Sequence, residues 1–173
     1  MELKEKKIVV FLEKYYDEKE FWYPYIRMRE AGATVVAVAP KKQVYHGKSG
    51  MPAEPDKTID EVQPGEFDAL IIPGGYSPDH MRRTPRMIEF VREMHEMNKV
   101  VATICHGGWM LASAGIIDGK TVTSFFAIRD DVVNAGAHWV DEPVVQDGGV
   151  ITSRTPDDLP AFCRTIIELV GSS

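Results

Sequence analysis

A chain of 173 residues, 44% hydrophobic and 27% charged, has apolar surface enough for one domain with its own core. A formal charge of −6 with no basic stripe argues against nucleic acid or an anionic membrane as a main partner. The start "MELKEKK" lacks the apolar segment of a signal peptide, no run approaches membrane-spanning length, and two cysteines make a weak disulfide framework, so a cytoplasmic chain with reduced thiols is expected.

The pattern then alternates strand and helix. "KIVVFL" (residues 7–12) is a short apolar run, and "EKEFWYPYIRMREAG" has a helical period stopped by Gly32. "TVVAVAP" (34–40) reads as the next strand. The polar, turn-rich "KKQVYHGKSGMPAEPDKTIDEVQPGEFD" reads as a surface excursion between strands. "ALIIPGG" (69–75) is the third apolar run. In "TPRMIEFVREMHEMNK", Met87, Phe90, Val91 and Met94 repeat at i, i+3, i+4, i+7, and "VVATIC" (100–105) closes a set of four near-continuous apolar strands. "TVTSF" (121–125) reads as a fifth strand and "IRDDVVNAGA" as a helix. "EPVVQDGGVITSR" has the form of a hairpin around Asp147-Gly148-Gly149. The last helix, in "PDDLPAFCRTIIELVG", carries Leu159, Phe162, Cys163, Ile166 and Val170 on one stripe, with Pro160 tolerable only in its first turn. No linker or repeat divides residues 1–173. One doubly wound α/β domain with a mostly parallel sheet is expected.

In such sheets the sites lie beyond the carboxyl ends of the strands. "ALIIPGG" and "VVATICHGG" both end there in glycines. A strand that turns sharply into a helix exposes its junction residue above the sheet, the geometry of a nucleophile elbow. Cys105 stands at that junction, with His106 beside it and Gly107 and Gly108 behind. The following helix N-terminus is expected to lower the thiol's pKa. The backbone N–H of His106 then points where an oxyanion would form, and the Gly74–Gly75 turn can supply a second donor. Alone, a cysteine after an apolar run is a small buried hydrophobe, the reading that fits Cys163 on its stripe. Zinc is disfavoured, because adjacent residues in a turn do not easily face one tetrahedral ion and no C-x₂-C or H-x₃-H spacing exists. His46, His80, His95 and His138 read as surface or supporting residues, with His80 close enough to Asp79 to line a pocket.

The segments "EFWYPYIRMREAG", "ALIIPGGYSPDHMR", "VVATICHGGWMLASAGII", "IRDDVVNAGAHWVD" and "DGGVITSRTPDDLPAF", in order over nearly the whole chain, resemble the DJ-1/PfpI superfamily, and within it the PfpI-like cysteine peptidases and deglycases. The resemblance implies a flavodoxin-like three-layer sandwich, of the type shared with class I glutamine amidotransferases. It also implies homodimers or hexamers built from them. It puts Cys105 on the family nucleophile, His106 on the adjacent base, Glu20 on the acid that reaches the cysteine from the first helix, and Gly75 on the oxyanion-hole glycine. Asp79 falls where an acid orients the histidine from a neighbouring subunit, although relatives often carry Glu there. The "CHGGW" run puts Trp109 near the site, and Phe125 stands where close relatives have Tyr and the DJ-1 branch His. A carboxyl beside a thiolate either shares its proton or repels it, so Glu20 should be partly protonated and hydrogen-bonded to sulfur.

The implied activity is that of a hydrolase with a cysteine nucleophile and no cofactor or metal, acting on small peptides or on adducts of glyoxal and methylglyoxal. A non-enzymatic oxidative-stress sensor or chaperone using reversible oxidation of Cys105 is the alternative. His106 separates them, since a sensor needs only the thiolate and Glu20. A glutaminase would want a late His-x-Glu pair, and His138 is followed by Trp139 and Val140.

Overall fold

The computed structural model describes residues 2–173. Its strands are β1 (Lys7–Phe11), β2 (Thr34–Ala39), β3 (Tyr45–His46), β4 (Pro52–Ala53), β5 (Lys57–Thr58), β6 (Ala69–Ile72), β7 (Val100–Ile104), β8 (Thr121–Val122), β9 (His138–Trp139), β10 (Val144–Asp147) and β11 (Val150–Ser153). The helices are α1 (Glu18–Glu30), α2 (Ser77–Met81), α3 (Pro85–Glu96), α4 (Gly108–Ala114), α5 (Arg129–Asn134) and α6 (Leu159–Gly171). Seven strands form the central sheet in the order β10-β11-β7-β6-β1-β2-β5, and only the β10–β11 hairpin is antiparallel.

Alternation along the strands explains the three layers. In β1 and just beyond it, Ile8, Val10 and Leu12 pack on one face with Phe21 and Met28 of α1 and Phe162, Ile166 and Val170 of α6. Val9 and Phe11 face the other way, onto Phe90 and Val91 of α3 and Met110 and Leu111 of α4. Strands covered on both sides are apolar at every position, which is why they read as continuous runs. The stripes of α3 and α6 pack as their periods require, with Cys163 1% exposed and Pro160 in the first turn of α6. The flavodoxin-like sandwich and the hairpin at Asp147–Gly149 thus agree with the sequence.

Two readings need correction. "TVTSF" is not a strand of the main sheet. Only Thr121–Val122 is extended, and it pairs in parallel with β9 in a separate two-stranded sheet. Thr123 N–H donates to the Thr152 hydroxyl at 2.9 Å and Phe125 N–H to the Cys105 carbonyl at 3.2 Å, so this segment is tied to the sheet's end by side-chain and loop bonds rather than by a ladder. The excursion after β2 is also more than a surface loop: it holds the β3–β4 hairpin and sends β5 to the sheet edge beside β2.

Candidate active site

The carboxyl ends of β6 and β7 lie side by side, in register from Ala69–Val100 to Ile72–Thr103. From β7 the chain enters a 3₁₀ turn at Cys105–Gly107 before α4 begins. Cys105 has φ +60°, a left-handed conformation that costs a non-glycine residue about 1–2 kcal/mol. The strain turns Sγ out above the sheet, 3.1 Å from Nδ1 of His106. Gly107 is buried under the turn, close to the Ile72 carbonyl.

The neighbouring turn needs its glycines. Gly75 has φ +71°, and its backbone forms a bridge with Tyr16 ahead of α1. A Cβ on Gly74 would stand 2.6 Å from Oε1 of Glu20 and 2.7 Å from the Cβ of Cys105, so glycine is what lets the two side chains close around one point. Backbone N–H groups of Gly75 and His106 lie near enough to the sulfur to favour its charged form.

Glu20 arrives through α1. Asp17 caps that helix, its carboxylate accepting from Lys19 N–H at 3.0 Å and Glu20 N–H at 3.2 Å. The buried face of α1 is Glu20, Phe21, Pro24 and Met28, which carries the carboxyl inward to 0% exposure. Oε1 accepts from Gly74 N–H at 3.0 Å, while Oε2 is buried with no partner. Burial, and then the charge of Asp17, raises the Glu20 pKa to about 8, so it is protonated at neutral pH. Protonation agrees with expectation, but no hydrogen bond joins the carboxyl to the sulfur: Oε1 accepts from Gly74 and Oε2 has no partner.

The thiol also departs from expectation. Burial, and then the Glu20 carboxylate, pushes Cys105 up to about 12, against the pull of the Gly75 and His106 N–H groups. The helix N-terminus does not win, because α4 has only seven residues and starts beyond the 3₁₀ turn, whereas desolvation acts on the sulfur directly. A proton on Glu20 removes the second of the two opposing causes. His106 is held low by burial and by the Lys48 charge, which keeps its imidazole neutral at pH 7 and able to take the thiol proton at Nδ1.

Aromatic rings enclose the imidazole. Phe125 stacks on it at 5.0 Å between centroids, and Trp109 meets it edge-on at 5.1 Å while its Nε1–H donates to Asp131 at 2.7 Å. Asp79 is not brought to His106 within the chain. It lies exposed on α2, paired with Arg83 at 2.6 Å, beside a groove of about 500 Å³ that Tyr15, Tyr76, His80 and Trp109 also line.

The cavity over the sulfur measures about 230 Å³ and is also lined by residues that sequence reasoning missed: Asp17, Lys48, Tyr76, Thr155 and Pro156. Lys48 comes from the excursion and pairs with Asp17 at 2.7 Å. Only the S/T/D/N-x-x-E capping pattern in "DEKE" hinted at Asp17; nothing local marked the others. Among the described residues no cluster of His, Cys, Asp and Glu could hold a metal ion, and no helix is long and apolar enough to cross a membrane.

Residues 6–169 match the DJ-1/PfpI family. This chain belongs to that family. It is 43% identical to Deglycase PfpI of Pyrococcus furiosus over 95% of this chain and 99% of the relative. It is also 43% identical to Protein/nucleic acid deglycase 2 of Escherichia coli, over 96% and 99% respectively. A crystal structure from Anabaena variabilis, of a two-domain protein with DJ-1/ThiJ/PfpI-like and ferritin-like domains, superposes with a TM-score of 0.95 at 40% identity. That match covers 96% of this chain and 48% of the two-domain chain.

Proposed function

We propose that this DJ-1/PfpI protein is a cysteine hydrolase of the deglycase type, acting on small adducts of glyoxal or methylglyoxal and on small peptides, in the cytoplasm. The observation that carries the reading is the 3.1 Å contact between Cys105 Sγ and His106 Nδ1 on a strained elbow. Sulfur attacks the electrophilic carbon of the substrate, and its proton passes to Nδ1. The N–H groups of Gly75 and His106 receive the developing oxyanion. His106 returns the proton to the departing amine or thiol, and water then releases the remaining fragment and restores the thiol. A cavity of about 230 Å³ suits small substrates rather than folded protein. A sensor would use the sulfur and Glu20 alone, so the His106 contact favours the enzyme.

The active unit is inferred to be a homodimer or a hexamer of dimers. Among the described residues the His106 ring bonds only to the sulfur, and the exposed carboxylate of Asp79 would orient it from a neighbouring copy. The decisive experiment is turnover of a methylglyoxal–amino acid adduct and of a fluorogenic peptide by wild type, Cys105→Ala and His106→Asn. Loss in both variants is expected; turnover retained by Cys105→Ala overturns the mechanism.

A further inference from the structure

The loop that carries Lys48 is bound tightly to the entrance of α1. Lys48 N–H donates to the Tyr16 carbonyl at 2.9 Å, Ser49 N–H to Glu18 at 2.7 Å, and the Tyr16 hydroxyl to the Met51 carbonyl at 2.6 Å. These bonds anchor the backbone at Lys48 beside the cavity above Cys105, and the side chain, 43% exposed, lines the cavity wall. One of its three N–H groups meets Asp17 at 2.7 Å. Asp17 is 5% exposed, and its other oxygen takes the two N–H groups at the start of α1. That carboxylate is committed on both sides.

The remaining groups around the cavity carry no net charge at neutral pH. Glu20 is protonated, His106 is neutral and the thiol keeps its proton. Tyr76, Phe125, Thr155 and Pro156 add no charge to the lining. An entering molecule thus meets one cation with donors to spare and no uncommitted anion. A compact ammonium with rotatable donors recognises a carboxylate as a point charge, and such a charge-assisted bond is among the stronger polar contacts a site can offer.

We propose that Lys48 is a specificity residue that holds a carboxylate carried by the substrate while Cys105 attacks the neighbouring electrophilic carbon, so that the site prefers small carboxylate-bearing adducts, such as those on the amine of a free amino acid, over neutral ones. The inference rests on reading Cys105 as the nucleophile, and the test separates the two.

Cys105 is alkylated at pH 7 and low salt with iodoacetate, which carries a carboxylate, and with neutral iodoacetamide; in each the sulfur lone pair forms the S–C bond as iodide leaves. Rates are mapped to Cys105 by mass spectrometry in wild type, Lys48→Met and Lys48→Arg. Lys48→Met should lower the ratio of the iodoacetate rate to the iodoacetamide rate on the order of tenfold, the worth of one charge-assisted bond, whatever common change in sulfur reactivity both reagents report. Lys48→Arg should keep most of the preference. In turnover, KM for an alanine adduct should rise in Lys48→Met while that for the alaninamide adduct stays put. Equal slowing of both reagents would mean that Lys48 acts on sulfur ionisation, and no change in either would leave it a structural tie; both overturn the proposal. A wild-type Cys105 inert to both reagents would remove the nucleophile and this inference together.

Discussion

Cys105 and Cys163 have nearly the same intrinsic difficulty in ionising: burial pushes each thiol up to about 12. Cys163 is 1% exposed on the inner stripe of α6, in the core cluster that also holds Phe162, Ile166 and apolar residues of β7 and β11. Cys105 sits on a backbone of φ +60°, with an imidazole at 3.1 Å, two N–H groups that favour its charged form and a buried carboxyl that is protonated at neutral pH. Burial alone therefore does not tell a reactive cysteine from a structural one. What separates them is whether a proton acceptor and fixed dipoles wait beside the sulfur, and whether a molecule can reach it.

The sharpest break of this comparison is deletion. Cys105→Ala should lower turnover of a methylglyoxal adduct by at least about 10³, the usual scale for removing a nucleophile. Cys163→Ala should keep wild-type turnover and lose roughly 1 kcal/mol of stability in urea titration, because a small core group is removed. If Cys163→Ala is the variant that loses activity, the assignment of the two thiols is reversed.

Labelling sharpens the same contrast without mutation. Iodoacetamide at pH 8 should modify Cys105 on the order of 10² times faster than Cys163, which reacts only on unfolding. Peptide mapping that finds carboxamidomethyl on Cys163 first contradicts it.

Glu20 supplies a pH signature that Cys163 lacks. Its carboxyl holds a proton to about pH 8 in the folded chain, against an ordinary value of 4.5. Because the folded state binds that proton more tightly than the unfolded chain, the stabilisation is whole below about pH 4.5 and declines as pH rises through 8. Glu20→Gln should remove that decline, a difference on the order of a few kcal/mol between pH 5 and pH 9 in the unfolding free energy from urea titration. Above pH 8 the variant should also alkylate faster than wild type, since no carboxylate opposes the thiolate. Parallel stability profiles would show that Glu20 is ionised throughout.

The smallest expected effect is at Asp79. Asp79→Asn should lower turnover about tenfold by misorienting His106, with iodoacetamide labelling of Cys105 nearly unchanged. Mixing it with Cys105→Ala, under conditions where subunits exchange, should restore part of the activity. A mixture as inactive as its parents, or a fully active monomer in sedimentation, ends the case for an acid from a second copy.

Much of this molecule was legible in the order of its residues because the relevant physics is local. Strands covered on both faces write themselves as apolar runs, helices as 3.6-residue stripes, and a strand–Cys–His–Gly–Gly junction as an elbow. The glycines at 74 and 75 likewise marked a turn that would approach something closely. "TVTSF" misled because β-propensity says only that a segment suits a pleated surface; its partners, Thr152 and Cys105, lie elsewhere in the chain. The thiol pKa was misjudged for a related reason. A helix N-terminus can be read from neighbouring residues, whereas desolvation and a buried carboxyl 85 positions away in sequence cannot. Lys48 shows the limit most clearly, being one of several lysines in a polar loop until the β3–β4 hairpin folds that loop against α1 and sets its ammonium beside Asp17 over the cavity. The sequence by itself determined the layers, the elbow and the identity of both cysteines, since each comes from periodicity or adjacency. Only the tertiary structure decided which charges surround the sulfur, because charge acts through space and burial, and neither has a period.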